Sequence, residues 1–354
     1  MIRYNSLQMH RFMAKLLHPN AKVSSYYFPA PQIFWDRLIQ LGSSQLVLPA
    51  IYGALKRKKL LDYAPVDLVS YLQEITDLNQ KRNTAVLKQI NLIFKLFKKH
   101  QINYVFLKGA AMLITRPYDA INERMVGDID ILVSEKDLSR SQQLLIDEGF
   151  KAVSNKFSFT KGVFSENFDK HLDRIANPNY IAAVEIHRRL LIKENHLIST
   201  NDVLENKQQF KKQYWIPSKY HLWQHAILNW QYNDNGIIRN ELAFRTVLDV
   251  LYLESTEILA KVKTSSKAVK SFYSLLSLYY GNYKTYYLQK RIIYKLKLKS
   301  RCFYNFHTFF INFIEFISLV FSRSFLFLSS KTYRQNILKK PKIFRQRILN
   351  SWNK

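Results

Sequence analysis

Cysteine is nearly missing from this sequence of 354 residues, since Cys302 is the only one. One thiol excludes an internal disulfide framework, and without a cluster of cysteine and histidine residues a structural zinc site has no ligand set. A reducing, cytoplasmic setting is therefore expected. Residues 1–20 also lack an apolar run long enough for a signal peptide, because polar side chains interrupt it at Asn5, His10 and Lys15. We do not expect the protein to be exported.

Acidic residues are nearly missing from the C-terminal part of the chain. Residues 258–354 contain 20 of the 54 Lys and Arg residues but only one of the 26 acids, Glu315, so most of the net charge of +28 lies there. Such a concentration predicts an anionic partner, either RNA or a negatively charged membrane surface at the inner membrane face. The alternative is a genome rich in A and T, which places lysines on solvated surfaces without any partner.

A long stretch rich in Phe, Ile and Leu occupies residues 303–328. Its polar residues recur at steps of three or four and would form one stripe along a helix: Asn305, Thr308, Asn312, Glu315 and Ser322. A membrane-spanning helix does not need such a stripe, and Glu315 and Arg323 are charged. We therefore predict an amphipathic helix that packs on the protein or lies on a surface, and no transmembrane span.

Changes of pattern divide the sequence into three regions. Residues 1–98 are predicted to form a helical domain, because Phe34, Leu38 and Leu41 recur at helical spacing and a longer helical pattern runs from Pro65 to Phe97. Residues 99–215 mix strands and helices. Residues 216–354 are predicted to be helical again, with a basic amphipathic tail.

The middle region begins with a strand, a glycine turn and a helix. The first strand is predicted from Tyr104 to Leu107.

A later helix has clear end signals. Ser134 is its predicted N-cap, with Asp137 in the reach-back position, and Gly149 is predicted to be left-handed at its C-terminal end. The further predicted elements are a strand at 128–133, a helix at 110–114, a helix at 135–148, two antiparallel strands at 171–175 and 181–187, and helices at 217–230 and 241–253.

Alternating acidic and aliphatic residues mark the strand Gly127-Asp128-Ile129-Asp130-Ile131-Leu132-Val133. Side chains alternate between the faces of a strand, so Asp128 and Asp130 project together while the aliphatic side chains enter the core. Two carboxylates at one edge repel each other, and a divalent cation such as Mg²⁺ removes that conflict together with phosphate oxygens. Taken alone, this spacing also occurs by chance on solvated strand ends.

A candidate phosphate-binding turn, Lys108-Gly109-Ala110, lies between the first strand and its helix. Small residues there let backbone N–H groups and a helix N-terminus approach a phosphate. Lys108 and Arg124 are candidates for direct phosphate contacts. The alternatives are a solvated strand end for Lys108 and a loop charge for Arg124.

A third carboxylate is available in Val184-Glu185-Ile186-His187. Glu185 and His187 share a strand face, and an antiparallel pairing beside the strand of Asp128 and Asp130 would bring Glu185 to the metal. Phosphoryl transfer by two metal ions needs a carboxylate that bridges the metals or accepts a proton from the attacking hydroxyl. His187 orients an acid, contacts the substrate or caps the strand.

These residues resemble a known family, the uncharacterised nucleotidyltransferases of the polymerase-β superfamily. The resemblance covers roughly residues 30–255. Its matching features are Leu107-Lys108-Gly109-Ala110-Ala111, Arg124, the Gly127 to Val133 strand, Gly149, Val184 to His187, and then His225, Arg245 and Asp249. Two departures are Gly109-Ala110 in place of the superfamily's Gly-Ser or Gly-Gly pair, and a longer gap to the first Asp.

The resemblance implies an α+β fold, in which a small mixed β-sheet with helices is flanked by N-terminal and C-terminal helical regions. It implies metal-dependent transfer of a nucleoside monophosphate from a nucleoside triphosphate, with Mg²⁺ or alternatively Mn²⁺. Asp128, Asp130 and Glu185 would be the metal ligands and catalytic acids. The expected nucleotide-binding residues are Lys108, Gly109, Ala110, Arg124, Gly127, His187 and Arg245.

Alternatives remain open at the level of the sequence. Arg245 and Asp249 could instead form a surface ion pair between residues i and i+4. The whole protein could be a degenerate nucleotidyltransferase fold that binds RNA or an anionic membrane, or a toxin that modifies tRNA. The acceptor is equally open between a sugar phosphate, another small molecule, tRNA and a protein.

Overall fold

Four helices open the structure, a computed structural model that describes residues 6–23, 27–153, 170–192, 195–342 and 344–346. Helix α4 follows Pro65 and ends before Gln101, which has a left-handed φ of 54°. Its apolar residues at helical spacing face the core, as the sequence predicts. The four helices are α1 (Ser6–Leu17), α2 (Gln32–Ser44), α3 (Leu48–Arg57) and α4 (Val66–Lys99).

A mixed five-stranded sheet follows, which confirms the α+β prediction. Its strands are β1 (Tyr104–Phe106), β2 (Ile129–Val133), β3 (Lys151–Ala152), β4 (Ile175–Ala176) and β5 (Val184–His187), in the order β1-β2-β5-β4-β3. Helices α5 (Lys108–Thr115) and α6 (Leu138–Asp147) connect its first strands. Every residue of β2 is buried, because β2 lies inside the sheet and both of its faces are covered.

The pairing of β5 corrects one prediction. β4 and β5 pair antiparallel around residues 177–179, as expected, but β5 runs parallel to β2 rather than antiparallel. The long connection through α6, β3 and β4 returns the chain in the same direction as β2, as parallel pairing requires. The partners across this pair are Asp130 with Glu185 and Leu132 with His187.

The contacts of Asp137 differ from the predicted reach-back hydrogen bond at the start of a helix. Its carboxylate accepts a hydrogen bond from the Ser134 hydroxyl (2.6 Å) and another from the backbone N–H of Asn103 (3.0 Å). A 3₁₀ turn at Glu135–Asp137 precedes α6. Through its bond to Asn103, Asp137 ties the start of α6 to the chain that enters β1. At the other end, Gly149 has the predicted left-handed conformation, with a φ of 86°.

The remaining chain is mainly helical. Its elements are α7 (Thr200–Glu205), a hairpin of β6 (Gln208–Phe210) and β7 (Tyr214–Ile216), α8 (Lys219–Leu228), a π-helical turn (Asn229–Asn233), α9 (Gly236–Arg239), α10 (Phe244–Leu253), α11 (Thr256–Lys261), α12 (Lys267–Leu276), α13 (Leu288–Lys299), α14 (Arg301–Ser329) and α15 (Lys331–Lys339). Ser218 caps α8, close to its predicted start. The β6–β7 hairpin was not predicted.

One apolar core extends from α1 to α13. Phe272 and Tyr273 of α12 are fully buried, so the first part of the basic region, up to Leu298, belongs to this folded body. Helix α14 differs, because none of its residues is buried. From Arg301 onward, the described part of the basic region has few buried residues, among them Tyr333 and Ile337. The boundaries at residues 98 and 215 stay predictions.

The Asp137 contacts generate a first testable prediction. Asp137→Ala leaves the partly buried N–H of Asn103 without its acceptor, which should lower the free energy of unfolding by roughly 1–3 kcal/mol. Urea denaturation followed by circular dichroism measures the change. The exposed Asp147 in α6 gives the matched control, and Asp147→Ala should shift stability by less than about 0.5 kcal/mol. Equal effects of the two substitutions would contradict the assigned role of Asp137.

Candidate active site

The parallel pairing of β2 and β5 brings three side chains together. Asp130 lies opposite Glu185, and the alternation of side chains along β5 puts His187 on the same face. One donor atom from each residue lies within 4.8 Å of the others. A carboxylate pair with an imidazole is a donor set that suits a divalent cation, because the carboxylates supply the oxygen ligands that Mg²⁺ and Mn²⁺ favour and the imidazole adds a nitrogen donor. The residues present therefore fit a metal ion.

Asp130 is the most tightly held member of this group. Its Oδ1 accepts hydrogen bonds from Lys108 Nζ (2.5 Å) and from His187 Nε2 (2.8 Å). Burial raises the pKa of Asp130, but the charge of Lys108 and the hydrogen bond from His187 outweigh it and hold the pKa well below its usual range. Asp130 is therefore an ionised carboxylate inside the protein.

Glu185 is more accessible than Asp130, with 20% of its side chain exposed. The hydrogen bond from His187 lowers the pKa of Glu185, against the opposing effect of burial. His187 itself is fully buried, and its Nδ1 has no hydrogen-bond partner among the described residues. The geometry thus adds His187 to the candidate metal donors, whereas the sequence suggested it as a nucleotide contact.

Asp128 lies beside this group and just before β2. Its carboxylate pairs with Arg174, the residue before β4. Burial raises the pKa of Asp128, and the charges of Glu185 and Asp130 add to this effect, while Arg174 opposes it. The repulsion expected between the acids thus contributes to the raised pKa of Asp128. Its role as a metal ligand stays a prediction.

Lys108 is placed by the end of β1. The backbone N–H of Leu107 donates to the carbonyl of Asp130 (2.9 Å), and Lys108 then begins α5 with a left-handed φ of 45°. A lysine in this conformation costs about 1 kcal/mol or more, which marks a local constraint. The alternative that Lys108 is a solvated strand end is wrong, because the Lys108 ammonium binds the buried Asp130.

Gly109 and Ala110 are both buried at the start of α5. A Cβ atom at position 109 would lie 3.0 Å from Val126, so the absence of a side chain lets the loop before β2 pack against α5. Around Gly127 the space is open, with no atom within 4 Å of such a Cβ atom among the described residues. Contacts of these three residues with a nucleotide stay predictions.

Arg124 is buried and bound to a single acid. Its Nε donates to Asp249 Oδ1 (2.7 Å) and its Nη2 to Asp249 Oδ2 (2.8 Å), while the Tyr118 hydroxyl donates to the same carboxylate. The alternative of a surface ion pair between Arg245 and Asp249 is therefore wrong. Burial lowers the pKa of Arg124, but Asp249 outweighs it and the net shift is upward. The contact of Arg124 with a phosphate stays a prediction.

A small cavity of about 60 Å³ opens beside Lys108, between α5, α8 and α10. Arg245, His225 and Asp234 are among the residues that line it. His225 is buried with its Nε2 unpartnered among the described residues. Burial, together with the charge of Lys108, lowers the pKa of His225 well below its usual value, so the ring is neutral. Arg245 and Lys108 thus face one space.

Several positioning residues were missed by the sequence reading. Arg82 of α4 donates to the carbonyls of Val126 (Nε, 3.0 Å) and Gly127 (Nη2, 2.9 Å), which fixes the chain just before Asp128. Asn83 of α4 is buried and donates to the carbonyl of Arg124 (2.8 Å). An asparagine at a core-facing position of a helical pattern was the available signal, since a buried amide needs partners.

Lys170 is a second missed residue. The electrostatic neighbours of its ammonium include Lys108, Asp130, Glu185 and Asp234. Burial, together with the charge of Lys108, lowers the pKa of Lys170 to about 8. No local motif surrounds this lysine in the sequence, so only the folded chain shows that it belongs to the site.

A family model described as an uncharacterised nucleotidyltransferase matches residues 31–253 of the chain. The protein belongs to this nucleotidyltransferase family. The matched range contains the acids, Lys108 and the residues of the cavity, and it ends at the last residue of α10. A search of the curated proteins gave no match. Membership supports nucleotidyl transfer as the general activity of this nucleotidyltransferase, and its Asp130, Glu185 and His187 could hold the divalent metal usual in the family.

The buried pair of Arg124 and Asp249 allows a second prediction. Arg124→Ala leaves an uncompensated carboxylate inside the protein and should lower the free energy of unfolding by about 3–5 kcal/mol. Urea denaturation measures this loss. Arg140→Ala is the control, because Arg140 is exposed on α6, and it should change stability by less than about 0.5 kcal/mol. A loss of less than about 1 kcal/mol for Arg124→Ala would show that the pair does not hold the loop before β2.

Proposed function

We propose that this protein transfers a nucleoside monophosphate from a nucleoside triphosphate to an acceptor hydroxyl or phosphate group and releases pyrophosphate. The observation that supports this most strongly is the register of β2 and β5, which holds Asp130 beside Glu185 and His187. An acceptor oxygen attacks the α-phosphorus, a new P–O bond forms, and the bond to pyrophosphate breaks. Bound at Asp130, Glu185 and the neighbouring Asp128 and His187, Mg²⁺ or Mn²⁺ would polarise the phosphate oxygens and neutralise developing charge.

The proton of the acceptor needs a base. Glu185 is the member of the group with an ionised carboxylate that solvent reaches, since the hydrogen bond from His187 lowers its pKa and 20% of its side chain is exposed. In the proposed reaction Glu185 takes the proton as the acceptor oxygen bonds to phosphorus. Without a metal ion, His187 Nε2 lies 3.5 Å from Glu185 Oε2 and 2.8 Å from Asp130 Oδ1, so it keeps both carboxylates close together where the ion would bind.

The charge of the triphosphate needs cations. Lys108 and Arg245 line the same small cavity, and burial lowers the pKa of Arg245 as expected for a guanidinium held out of water. Phosphate oxygens at this cavity would accept hydrogen bonds from both side chains. Asp234 also lines the cavity, and burial raises the pKa of its carboxyl group, while the charges of Lys108 and Arg245 lower it.

Substitution of Asp128 gives the cleanest test of this proposal. The raised pKa of Asp128 means that its charged form is disfavoured by the fold, so at neutral pH the charge lowers stability, and Asp128→Asn should leave stability equal or slightly higher. Transfer of label from an α-labelled nucleoside triphosphate into cell extract should nevertheless fall about 10²–10³-fold, because the site would hold the metal ion less well and the ion would no longer balance the charge at the phosphate. The labelled product would also identify the acceptor among sugar phosphates, other small molecules, tRNA and proteins.

Thermal unfolding provides a second readout of the same variant. Mg²⁺ with the correct triphosphate at 100 times its dissociation constant should stabilise the parent by ~2.7 kcal/mol, and Asp128→Asn should lose this effect. Asp147→Asn in the exposed part of α6 is the matched control and should behave as the parent. Full transfer activity in Asp128→Asn would contradict the proposal. No stabilisation by any of the four nucleotides would instead favour the degenerate binding module.

A further inference from the structure

Helix α14 is attached to the protein through its polar stripe. Glu315 accepts hydrogen bonds from Arg239 Nη2 (3.1 Å) and from Asn235 Nδ2 (3.2 Å), and Asn312 accepts a longer one from Arg239 (3.5 Å). Partly buried positions recur along α14 every three or four residues, as expected for a helix that touches the protein along one side. Three residues of the predicted polar stripe, Thr308, Asn312 and Glu315, are partly buried on this side, whereas Asn305 and Ser322 are exposed.

The opposite side of α14 carries large apolar side chains in solvent. Phe321 is 73% exposed and Phe325 70% exposed. We call this side the outer face of α14, and it comprises Phe306, Phe309, Phe310, Ile314, Val320, Phe321, Phe325 and Leu328. The helix has 29 residues and is thus about 43 Å long. Single exposed apolar residues are ordinary, but a continuous apolar face of this length marks an interaction surface.

Basic residues flank the outer face at both ends. Lys295, Lys299 and Arg301 are exposed before it, and Lys331 and Lys339 are exposed after it. From Leu288 to Gln346 the sequence contains a single acid, Glu315, which is bound to Arg239. A second copy of this strongly basic chain would be repelled by such a surface, whereas an anionic lipid bilayer offers both an apolar interior and negative head groups.

We propose that the outer face of α14 inserts into the surface of an anionic lipid bilayer, with α14 lying in the plane of the membrane. By length and composition alone α14 could cross a membrane. The pair of Glu315 and Arg239 ties the other side of the helix to the protein body, however, and a span would separate these charges within the hydrocarbon. RNA would suit the basic residues and stack on the phenylalanines, but it gives no partner to Ile314, Val320 and Leu328.

Vesicle binding tests the proposal with the full chain. The protein should sediment with vesicles of phosphatidylcholine and phosphatidylglycerol, and more weakly with phosphatidylcholine alone or at high salt. The double variant Phe321→Glu/Phe325→Glu should raise the dissociation constant for the mixed vesicles about a hundredfold, because two phenylalanines no longer leave water. Both residues are exposed, so the thermal unfolding of the protein should be unchanged.

A matched control separates this effect from the change of net charge. Val66→Glu/Leu78→Glu also places two acids on exposed apolar positions, but on α4. This variant should bind vesicles within about twofold of the parent, since only long-range charge differs. Equal losses in both double variants, or no sedimentation of the parent with the mixed vesicles, would overturn the proposal. A competition with RNA gives a further check. If RNA displaces the parent from the vesicles, and the Phe321→Glu/Phe325→Glu variant binds RNA as well as the parent does, the proposal is overturned.

The lone cysteine distinguishes an in-plane helix from a span. Cys302 is exposed at the start of α14 and accepts a fluorescent nitrobenzoxadiazole label without any substitution. A second protein, Cys302→Ser/Ser329→Cys, carries the label at the other end. Both labels should shift their emission to the blue when vesicles are added, and dithionite added outside the vesicles should reduce both. Protection of either label from dithionite would show that α14 spans the bilayer and would overturn the in-plane arrangement.

Discussion

The buried carboxylate of Asp130 is the constraint on which the site depends. Taking such a charge out of water costs several kcal/mol unless hydrogen bonds and opposite charge replace the solvent. Lys108 and His187 supply that replacement, and each is held by backbone pairing, Lys108 at the end of β1 and His187 in β5. The strain in the left-handed Lys108 is one cost of this arrangement. A divalent cation at the same donors would meet the same electrostatic need.

Local sequence patterns predicted most helices and strands of this fold. They could not predict how strands that are far apart in the sequence pair with each other. The apolar spacing of α4 and the alternation in β2 depend on neighbours in the sequence, so both were found, as was the α+β class. The direction of β5 against β2 depends on the path of about fifty intervening residues, which no spacing encodes. The acids were predicted from the sequence, and His187 was predicted as a residue that could orient an acid, but the pairing of Asp128 with Arg174 and of Asp130 with Lys108 was not.

The pair of Arg124 and Asp249 shows the same limit at the level of single charges. The two residues are 125 positions apart. From the sequence alone, Arg124 could be a charge in a loop and Asp249 could pair with Arg245 in the same helix. Likewise, the sequence predicted a polar stripe on this helix but left open which way the stripe faces, and only its middle part, with Asn312 and Glu315, contacts the protein. Glu315 finds its partner in Arg239, and this contact decides which side of α14 meets water.

The turn between the π-helical segment and α9 connects two surfaces that are otherwise separate. Asp234 lines the cavity beside Lys108, and the next residue, Asn235, donates a hydrogen bond to Glu315 of α14. Consecutive Cα atoms lie about 3.8 Å apart, so one peptide bond separates the residue on the cavity wall from the residue that holds α14. If binding at one of these surfaces changes the position of this turn, thermodynamic linkage requires the effect to be reciprocal: a ligand in the cavity would change the affinity of α14 for its partner by the same factor as the partner changes the affinity for the ligand.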